Sequence, residues 1–312
     1  MLVALAGGVG AAKLLVGLAM VVDPTEITAV INTGDDLVLH GLHISPDIDS
    51  VTYALAGLDN KVTGWGVVDE SWTVAANLKA LGGVSWFQLG DRDLATHLFR
   101  TQRLGEGATL SQVTSELSAA RGVGARLIPM SDDAIRTRVT LAEPLEGEDA
   151  EVAFQDYFVR LGHAVAVTSV RFAGAEEARP APGVLEAIGR AELVICCPSN
   201  PIVSIGPILA VPGIEAALVA RRDTVVAVSP IVAGAALKGP ADRLLRELGH
   251  EASALAVARL YAPWAGTIVI DEADRDLVAD IEALGVRCLV TSTVMSDPAR
   301  AAGLAKALLD AG

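Results

Sequence analysis

Short apolar runs alternate along this chain with longer stretches whose apolar positions recur at helical spacing. The runs that predict buried strands are residues 2–6, 27–31, 193–197, 224–228 and 287–290. Residues 12–22 have the spacing of a helix, and weaker strand patterns at 137–141 and 164–170 flank an acidic turn at 143–151. Strands separated by helices are typical of βαβ units. The pattern predicts an α/β fold with a mostly parallel sheet and helices on both faces.

The middle of the chain has a different pattern. Residues 71–81 and 93–103 predict helices, and three of the four tryptophans lie between residues 55 and 131. The strands predicted for the main sheet lie outside this stretch. We therefore expect a core made of residues 1–54 and 132–312, with residues 55–131 as a smaller, largely helical insertion that covers the site.

The composition describes an acidic globular protein. Hydrophobic residues make up 52% of the 312 residues, and the formal net charge is −14. A nucleic-acid partner requires a basic surface, so this charge argues against one. The first 22 residues are apolar, but three glycines and Lys13 interrupt them, which argues against a signal peptide or a membrane anchor. Three cysteines make no disulfide framework, as is usual in a reducing compartment. We expect a cytoplasmic protein with no membrane partner.

A glycine-rich loop follows the first predicted strand. Gly8 and Gly10 match two positions of Gly-x-Gly-x-x-Gly, but Lys13 stands at the third, and the Gly-Lys-Ser/Thr of a Walker loop is absent. Backbone amides at the start of a helix bind phosphate, so Gly7, Gly8, Gly10 and Lys13 are candidate ligand contacts. The alternative is a tight turn between a strand and a helix.

Four aspartates follow the second predicted strand within eighteen positions: Asp35, Asp36, Asp47 and Asp49. Carboxylates alone repel phosphate, whereas a divalent cation between the two anions binds both. We therefore expect a divalent cation at this cluster. Two alternatives stay open. Asp35 also lies where a dinucleotide-binding acid stands in a nicotinamide enzyme, and one or two of these aspartates can simply cap helices.

Polar side chains are also dense around a predicted helix start at residues 88–97. Asp91, Arg92 and His97 lie on this segment, and their density favours a helix that faces a ligand. The alternative is that the acidic residues only cap the helix.

Two further segments follow predicted strands. Asp132 and Asp133 read equally well as a turn or as hydrogen-bond acceptors for a guanine ring edge. Ser199, Asn200 and Ser204 lie in a proline-rich segment that opens a helix, so they predict a second anion-binding loop.

Several of these segments together resemble the 2-phospho-L-lactate transferase family of coenzyme F420 biosynthesis. They cover residues 7 to about 235 in one order. The motifs are Gly-Gly-Val-Gly-Ala-Ala-Lys, Asn-Thr-Gly-Asp-Asp, Ser-Pro-Asp-Ile-Asp, Leu-Gly-Asp-Arg-Asp-Leu-Ala-Thr-His, Pro-Met-Ser-Asp-Asp, Pro-Ser-Asn-Pro-Ile-Val-Ser-Ile-Gly-Pro and Ser-Pro-Ile-Val.

The resemblance implies a Rossmann-like core, a homodimer and a Mg²⁺-dependent transfer. The donor would be a guanosine diphosphate-linked three-carbon phosphoester and the acceptor the ribityl hydroxyl of 7,8-didemethyl-8-hydroxy-5-deazariboflavin, with release of GMP. Carried over to this sequence, Asp49 and Gln88 would contact the deazaflavin, although some relatives have lysine at the position of Gln88. Asp35 or Asp36 would hold the metal.

The resemblance leaves the transferred group and two other function classes open. Actinobacterial members of the family are described as phosphoenolpyruvate transferases. The high Ala, Gly and Val content is typical of a GC-rich, actinobacterial source, and this favours phosphoenolpyruvate over phospholactate. One alternative is an NAD(P)-dependent oxidoreductase. Another is a nucleotide-sugar-binding regulator that resembles the gluconeogenesis-factor family, whose members tend to continue Asp-Asp-Gly-Gly-Ser, whereas Leu37 follows Asp-Asp in this chain.

Overall fold

A seven-stranded parallel sheet forms the centre of the computed structural model, which describes residues 1–143, 146–147 and 149–312. The strands of the described residues, in order, are β1 Leu2–Ala6, β2 Ile27–Ile31, β3 Leu37–Leu39, β4 Leu42–Ile44, β5 Arg126–Pro129, β6 Arg136–Leu141, β7 Glu151–Ala153, β8 Val167–Ala173, β9 Leu193–Cys196, β10 Val225–Val228, β11 Ile231–Val232, β12 Ala235–Ala236, β13 Thr267–Asp271 and β14 Arg287–Thr291. The main sheet has the order β14-β13-β10-β9-β1-β2-β5, and all its pairs are parallel.

Helices cover both faces of this sheet. They are α1 Gly8–Ala19, α2 Pro46–Leu55, α3 Thr73–Ala80, α4 Asp91–Gly105, α5 Leu110–Ala120, α6 Val184–Arg190, α7 Gly206–Ala210, α8 Ile214–Val219, α9 Ala241–Glu247, α10 Ala254–Tyr261, α11 Val278–Glu282 and α12 Pro298–Ala311. On one face, Leu15 of α1 and Leu304 of α12 join one buried apolar cluster with residues of the sheet. On the other face, α6, α8 and α10 join a second cluster. This arrangement confirms the predicted α/β class with a Rossmann-like sheet.

Strand order places a switch point between β1 and β9. The chain runs outward from β1 through β2 to β5, then returns and runs the other way from β9 to β14. Loops that leave neighbouring strands in opposite directions open a crevice, and ligands of such sheets bind there. The glycine-rich loop and the Ser199–Ser204 segment therefore lie on the two sides of this crevice.

The glycine-rich loop differs from its predicted form, because it is already the first turn of α1. The helix begins at Gly8 and ends at Ala19, rather than spanning residues 12–22. Gly7 is the extended residue before it, and Gly8 has a φ of +70°, which a residue without a side chain adopts without strain. No side chain caps this helix start, so its first amides are left for other partners.

The segment expected as an insertion holds α3, α4 and α5. It ends with β5, which pairs with β2 and so extends the main sheet. The strands β6, β7 and β8 make a separate antiparallel sheet, and β3 and β4 make a hairpin. The division of the chain into a core and an insertion stays a prediction, and part of the acidic turn at 143–151 lies outside the described residues. In the part of the chain that the structure describes, no helix is long and apolar enough to cross a membrane.

Candidate functional site

The loops after β1 and β9 contact each other directly. The Ser199 hydroxyl donates a hydrogen bond to the Gly7 carbonyl (2.8 Å) and accepts one from the Gly7 amide (3.3 Å). A Cβ on Gly7 would lie 2.6 Å from the Cβ of Ser204, and one on Gly10 would clash with the Pro198 carbonyl oxygen. The two segments that were predicted separately as anion-binding loops are therefore one site, and glycine permits their close approach.

Asn32, the residue after β2, connects this site to the aspartates. Its Nδ2 donates to Asp47 Oδ2 (2.9 Å), and its Oδ1 accepts from the Gly34 amide (2.8 Å). The Asp47 carboxylate lies beside the glycine loop, 3.1 Å from a Cβ placed on Gly7. The amide of Gly8 lowers the pKa of Asp47, against a larger effect of burial. The Asp47 carboxylate and the start of α1 thus share one corner of the crevice.

Three carboxyl groups here have raised pKa values. Burial raises the pKa of Asp47 to about 6 and that of Asp36 to about 7. Burial also raises the pKa of Asp35 well above its usual range, and the nearby charge of Asp47 raises it further. One oxygen of Asp35 and one of Asp36 are buried without a hydrogen-bond partner. Oxygen ligands with uncompensated charge are what a Mg²⁺ site requires, so these residues fit the predicted metal.

Asp35 and Asp36 point toward different neighbours. Asp35 lies near Asn32 and Asp47, whereas Asp36 Oδ2 accepts from the Ser45 hydroxyl (2.7 Å). The charges of Arg136 and Arg100 act on Asp36. Asp35, with Asp47, therefore lies on the glycine-loop side of the cluster, and Asp36 lies on the side of the β3–β4 hairpin.

Asp49 has a buried ion pair with Arg100. Both oxygens of the carboxylate accept from the guanidinium, with 3.1 Å between Arg100 Nη1 and Asp49 Oδ2. Asp49 is 5% exposed and Arg100 is fully buried. The pair joins α2 to α4. Asp49 was predicted to contact the acceptor, and any such contact has to be made by a carboxylate that Arg100 already holds.

His97 and Asp93 extend this buried network. His97 Nδ1 lies 3.2 Å from Arg100 Nη1, and its Nε2 lies 3.2 Å from Asp93 Oδ2. Asp93 also accepts from the Tyr53 hydroxyl. Among the described residues, Asp49, Asp93 and His97 are the group of three whose ligand atoms lie within 4.8 Å of one another. Arg100 pairs with Asp49 and the Tyr53 hydroxyl donates to Asp93, so two of the three possible ligands already have partners.

The remaining residues predicted on the 88–97 segment lie farther out. Asp91 accepts from the Ser71 hydroxyl and from the amides of Thr73 and Val74, so it caps the start of α3. The Arg92 guanidinium donates to the Val68 carbonyl (2.6 Å). Both contacts are local, and the roles of Asp91 and Arg92 in ligand binding stay predictions.

Gln88 lines a largely apolar cavity of about 420 Å³ between α3 and α4. The walls include Leu42 of β4, Phe87 and Leu98. This volume is within the range of small-molecule sites. Gln88 would therefore contact a ligand in this cavity, not at the carboxylate cluster.

Three other predicted residues have structural partners. Asp132 Oδ1 accepts from the Ser111 amide and hydroxyl (both 2.7 Å), and Asp133 Oδ2 accepts from the Arg179 amide (2.8 Å). Asn200 Oδ1 accepts from the amides of the two residues at 202 and 203, and so caps the turn that Ser204 belongs to. Asp132 and Asp133 thus each have one oxygen bonded to nearby donors, and their contact with a guanine edge stays a prediction, while Asn200 shapes the predicted anion-binding loop.

Sequence reasoning did not identify Asn32 or Arg136 as site residues. Asn32 belongs to the Asn-Thr-Gly-Asp-Asp motif, so its position was a signal that pointed to the site. Arg136 is in β6, and no spacing along the sequence connects it with Asp36.

A model of one protein family matches most of the chain. The family is described as 2-phospho-L-lactate transferase CofD, and the match covers residues 2–292. Two curated relatives are each named phosphoenolpyruvate transferase. The protein from Kitasatospora aureofaciens is 47% identical over 99% of this chain and 96% of its own length, and that from Mycolicibacterium smegmatis is 42% identical over 98% and 97%.

The fold is also similar to that of a solved structure. A member of the UPF0052 family from Bacillus halodurans superposes with a TM-score of 0.60, over 99% of this chain and 98% of its own, at 18% identity. This likeness concerns the fold alone. The family match and the identities to the curated relatives carry the assignment. The chain belongs to the 2-phospho-L-lactate transferase CofD family, and it is a transferase that acts on a phosphate-containing group.

Proposed function

We propose that this protein transfers a phosphoenolpyruvyl or 2-phospho-L-lactyl group from a guanosine diphosphate-linked donor to the ribityl hydroxyl of 7,8-didemethyl-8-hydroxy-5-deazariboflavin, in the biosynthesis of coenzyme F420. The observation that supports it most is the meeting of buried aspartates with an uncapped glycine loop at the β1–β9 switch point. The names of the curated relatives favour phosphoenolpyruvate as the three-carbon unit.

One phosphate of the donor's diphosphate binds at the crevice between the β1 and β9 loops, where a bound cation would offset the charge of Asp47. Gly7, the residue before α1, has no side chain that could cap the helix, and Ser204, which lies against Gly7, adds a hydroxyl. Helix starts bind phosphate through their backbone amides without any net positive charge on the protein.

Mg²⁺ is held by Asp35 or Asp36, and Asp47 is the third carboxylate of the cluster. Asp35 is favoured, because it lies with Asp47 on the side of the glycine loop. When bound, the ion neutralises charge on the phosphate oxygens and lets carboxylates and phosphates share one site.

The ring of the acceptor lies in the apolar cavity beside Gln88, and its ribityl chain follows β4 toward the aspartates. Leu42, at the start of β4, lines the cavity, while Ser45, just past its end, binds Asp36. Three residues of extended chain span about 10 Å. That distance lets one end of the acceptor occupy the cavity while a hydroxyl of the other end reaches the donor, with Asp49 beside the path.

The reaction is a substitution at phosphorus. The acceptor oxygen forms a bond to the phosphorus that carries the three-carbon group, the bond from that phosphorus to the oxygen of GMP breaks, and the hydroxyl proton is lost. The chain's residues align the two substrates and exclude water from the crevice. Positioning and preorganised donors supply most of the catalysis in transfers of this kind.

Mass spectrometry of the product tests the proposal. The purified protein is incubated with the deazaflavin, Mg²⁺ and a guanosine diphosphate-linked donor that carries phosphoenolpyruvate, 2-phospho-L-lactate or phosphoglycerate. A product with the added three-carbon phosphoester, together with GMP, is expected, with phosphoenolpyruvate the best substrate. Absence of product with every donor, or tight binding of NAD(P)H in its place, would contradict the proposal.

We further propose that the protein is a cytoplasmic homodimer, as the family resemblance implies. Light scattering after size-exclusion chromatography should give about twice the chain mass of 32.2 kDa. A monomer at micromolar concentration would contradict this part of the proposal alone.

A further inference from the structure

A second cavity, of about 250 Å³, lies on the outer side of the glycine loop. It is bounded by α1, α2, the start of α12 and the loop at residues 59–66, and Lys238 reaches it from the segment after β12. Its polar wall includes Lys13, Ser50, Tyr53, Asn60 and Lys238. Val9 and Ala12 of the first turns of α1 also line it, so this cavity and the crevice share the glycine loop as a wall.

Lys13 and Lys238 both face this cavity with unused hydrogen-bond donors. Lys13 Nζ donates to the Met295 carbonyl (3.2 Å), and Lys238 Nζ donates to the Gly64 carbonyl (3.3 Å). An ammonium group has three donors, so each has capacity for further acceptors. Burial lowers the pKa of Lys238, and the charge of Lys13 lowers it further. Two like charges that repel each other across a cavity are stabilised by an anion between them.

The other charged groups on the cavity wall are already neutralised. Lys61 Nζ pairs with Asp59 Oδ2 (2.6 Å). Asp297 pairs with the Arg300 guanidinium (3.7 Å) and also caps α12 through the amide of Arg300 (3.0 Å). The charge left without a carboxylate partner on this wall is therefore positive, in a protein whose net charge is −14.

The position of Asp47 determines which side of the loop an anion approaches. Asp47 lies beside Gly7 and Gly8, where its carboxylate repels a phosphate that arrives without a cation. The outer side, with Lys13 and Lys238, attracts it. The cavity is smaller than the 300–1,000 Å³ that is usual for a whole ligand, so it accepts a charged group rather than a complete nucleotide.

We infer that Lys13 and Lys238 form an anion subsite that binds a phosphate group of the nucleotide-linked donor on the outer side of the glycine loop. The identity of the ligand rests on the proposed function. The subsite also connects two parts of the chain, because Lys238 contacts the 59–66 loop at Gly64. A phosphate bound by both lysines holds that loop and the segment after β12 together over the glycine loop.

Calorimetric titration of the full-length protein with inorganic pyrophosphate, and separately with GDP, tests this subsite. The titrations contain EDTA, so that the aspartates contribute no metal-mediated binding. Lys13→Met and Lys238→Met should each weaken binding of both ligands by about tenfold or more, because each removes a charge-assisted hydrogen bond. Lys238→Arg, which keeps the charge, should bind nearly as the wild type does. Lys61→Met is the matched control, since it removes a lysine of the same wall that Asp59 already neutralises.

Wild-type affinity in Lys13→Met and Lys238→Met would overturn the inference, as would equal weakening in Lys61→Met or failure of the wild type to bind either ligand. Thermal unfolding of each variant shows whether it is folded. The product assay separates this inference from the proposed function. If the protein binds pyrophosphate through the two lysines but forms no product, the subsite stands and the proposed reaction is contradicted. If the protein forms product while the two lysine variants bind as the wild type does, the proposed reaction stands and the subsite is contradicted.

Discussion

At the scale of single residues, Asn32 is the side chain that organises the site. It binds Asp47, which lies on α2, and it also binds the backbone of its own loop. This double contact fixes a carboxylate against the start of α1. The carboxyl groups of Asp35, Asp36 and Asp47 are buried close to one another, and one oxygen of Asp35 and one of Asp36 have no hydrogen-bond partner. Such a cluster is costly without a cation.

Substitution of the aspartates proposed to bind the metal should distinguish the role of Asp35 from that of Asp36. We expect Asp35→Asn to lose most turnover and to require a much higher Mg²⁺ concentration, because Asp35 shares the glycine-loop side with Asp47. Asp36→Asn should have the smaller effect. Steady-state rates across a Mg²⁺ titration provide the measurement, with circular dichroism to verify folding. Full activity in both variants, or undiminished wild-type activity in EDTA, would refute the assignment.

At the scale of elements, the site depends on how strand ends and helix starts meet. The loops after β1 and β9 are bonded through Ser199, and α2 is bonded to α4 through Asp49 and Arg100. Each contact joins elements that are distant in sequence. The Asp49–Arg100 contact spans 51 residues and the Gly7–Ser199 contact spans 192. The crevice is therefore sensitive to substitutions that alter caps and interhelical pairs.

Asn200 should affect stability because it caps a turn, and it should affect GDP binding because it lies in the predicted anion-binding loop. Asn200→Ala leaves the amides of residues 202 and 203 without their acceptor, so it should destabilise the protein by about 1 kcal/mol and weaken GDP binding. Asn200→Asp keeps the acceptor and should retain the stability, yet its negative charge should weaken GDP binding as well. Urea unfolding and GDP titration measure the two effects. Unchanged GDP affinity in Asn200→Asp would show that the phosphates lie elsewhere.

The Asp49–Arg100 pair can be tested with a double-mutant cycle. Asp49→Asn and Arg100→Met each leave an uncompensated buried partner and should cost about 3–5 kcal/mol of stability. The combined variant removes both charges and should recover much of that loss. It should not recover binding of the deazaflavin, because the proposed acceptor contact needs the Asp49 carboxylate.

Denaturant unfolding and deazaflavin titration of the four proteins complete this cycle. Arg100→Lys serves as the milder variant where Arg100→Met does not fold. Recovery of acceptor binding together with stability would show that the pair is only structural and that Asp49 does not bind the acceptor.

At the scale of the whole molecule, the buried aspartates make the stability of the fold depend on pH. The folded-state pKa values of Asp36 and Asp47, about 7 and about 6, lie above the ordinary value of 3.8. A carboxyl group with a raised folded pKa favours folding while it is protonated. As pH rises from about 4 to about 6 or 7, the unfolded chain ionises first, and this contribution to stability is lost.

We therefore expect Asp47→Asn to gain stability relative to the wild type as pH rises, in the absence of divalent cations. The difference in the free energy of unfolding between the two proteins should change by about 2–3 kcal/mol between pH 4 and pH 7, as the shift of the Asp47 pKa implies. Unfolding in denaturant at each pH measures it. Excess Mg²⁺ should reduce the difference at pH 7, because the ion binds the wild-type carboxylates. A difference that is independent of pH would contradict the assigned pKa.

The hydrophobic pattern was sufficient for much of the fold. The strands at residues 2–6 and 27–31 were predicted with their observed bounds, because continuous apolar runs between turns are characteristic of strands buried on both faces. The strands β5 and β13 were not predicted. The apolar stretch of β5 is too short to be told from a buried part of a helix. β13 is as long as β2, and its pattern did carry a strand signal. In both strands, neighbouring strands supply the hydrogen bonds that define them.

The sequence by itself therefore determined the α/β class and the family, and it indicated the segments proposed to carry the chemistry, since each depends on local runs and motifs. Only the tertiary structure decided which of those residues meet. It brought Asp47 to the glycine loop through Asn32, bound Asp49 to Arg100, and placed Lys238 opposite Lys13. The physical reason is that pairing across a parallel sheet and packing of helices join residues that no local spacing relates, and burial of the paired charges then determines their pKa values.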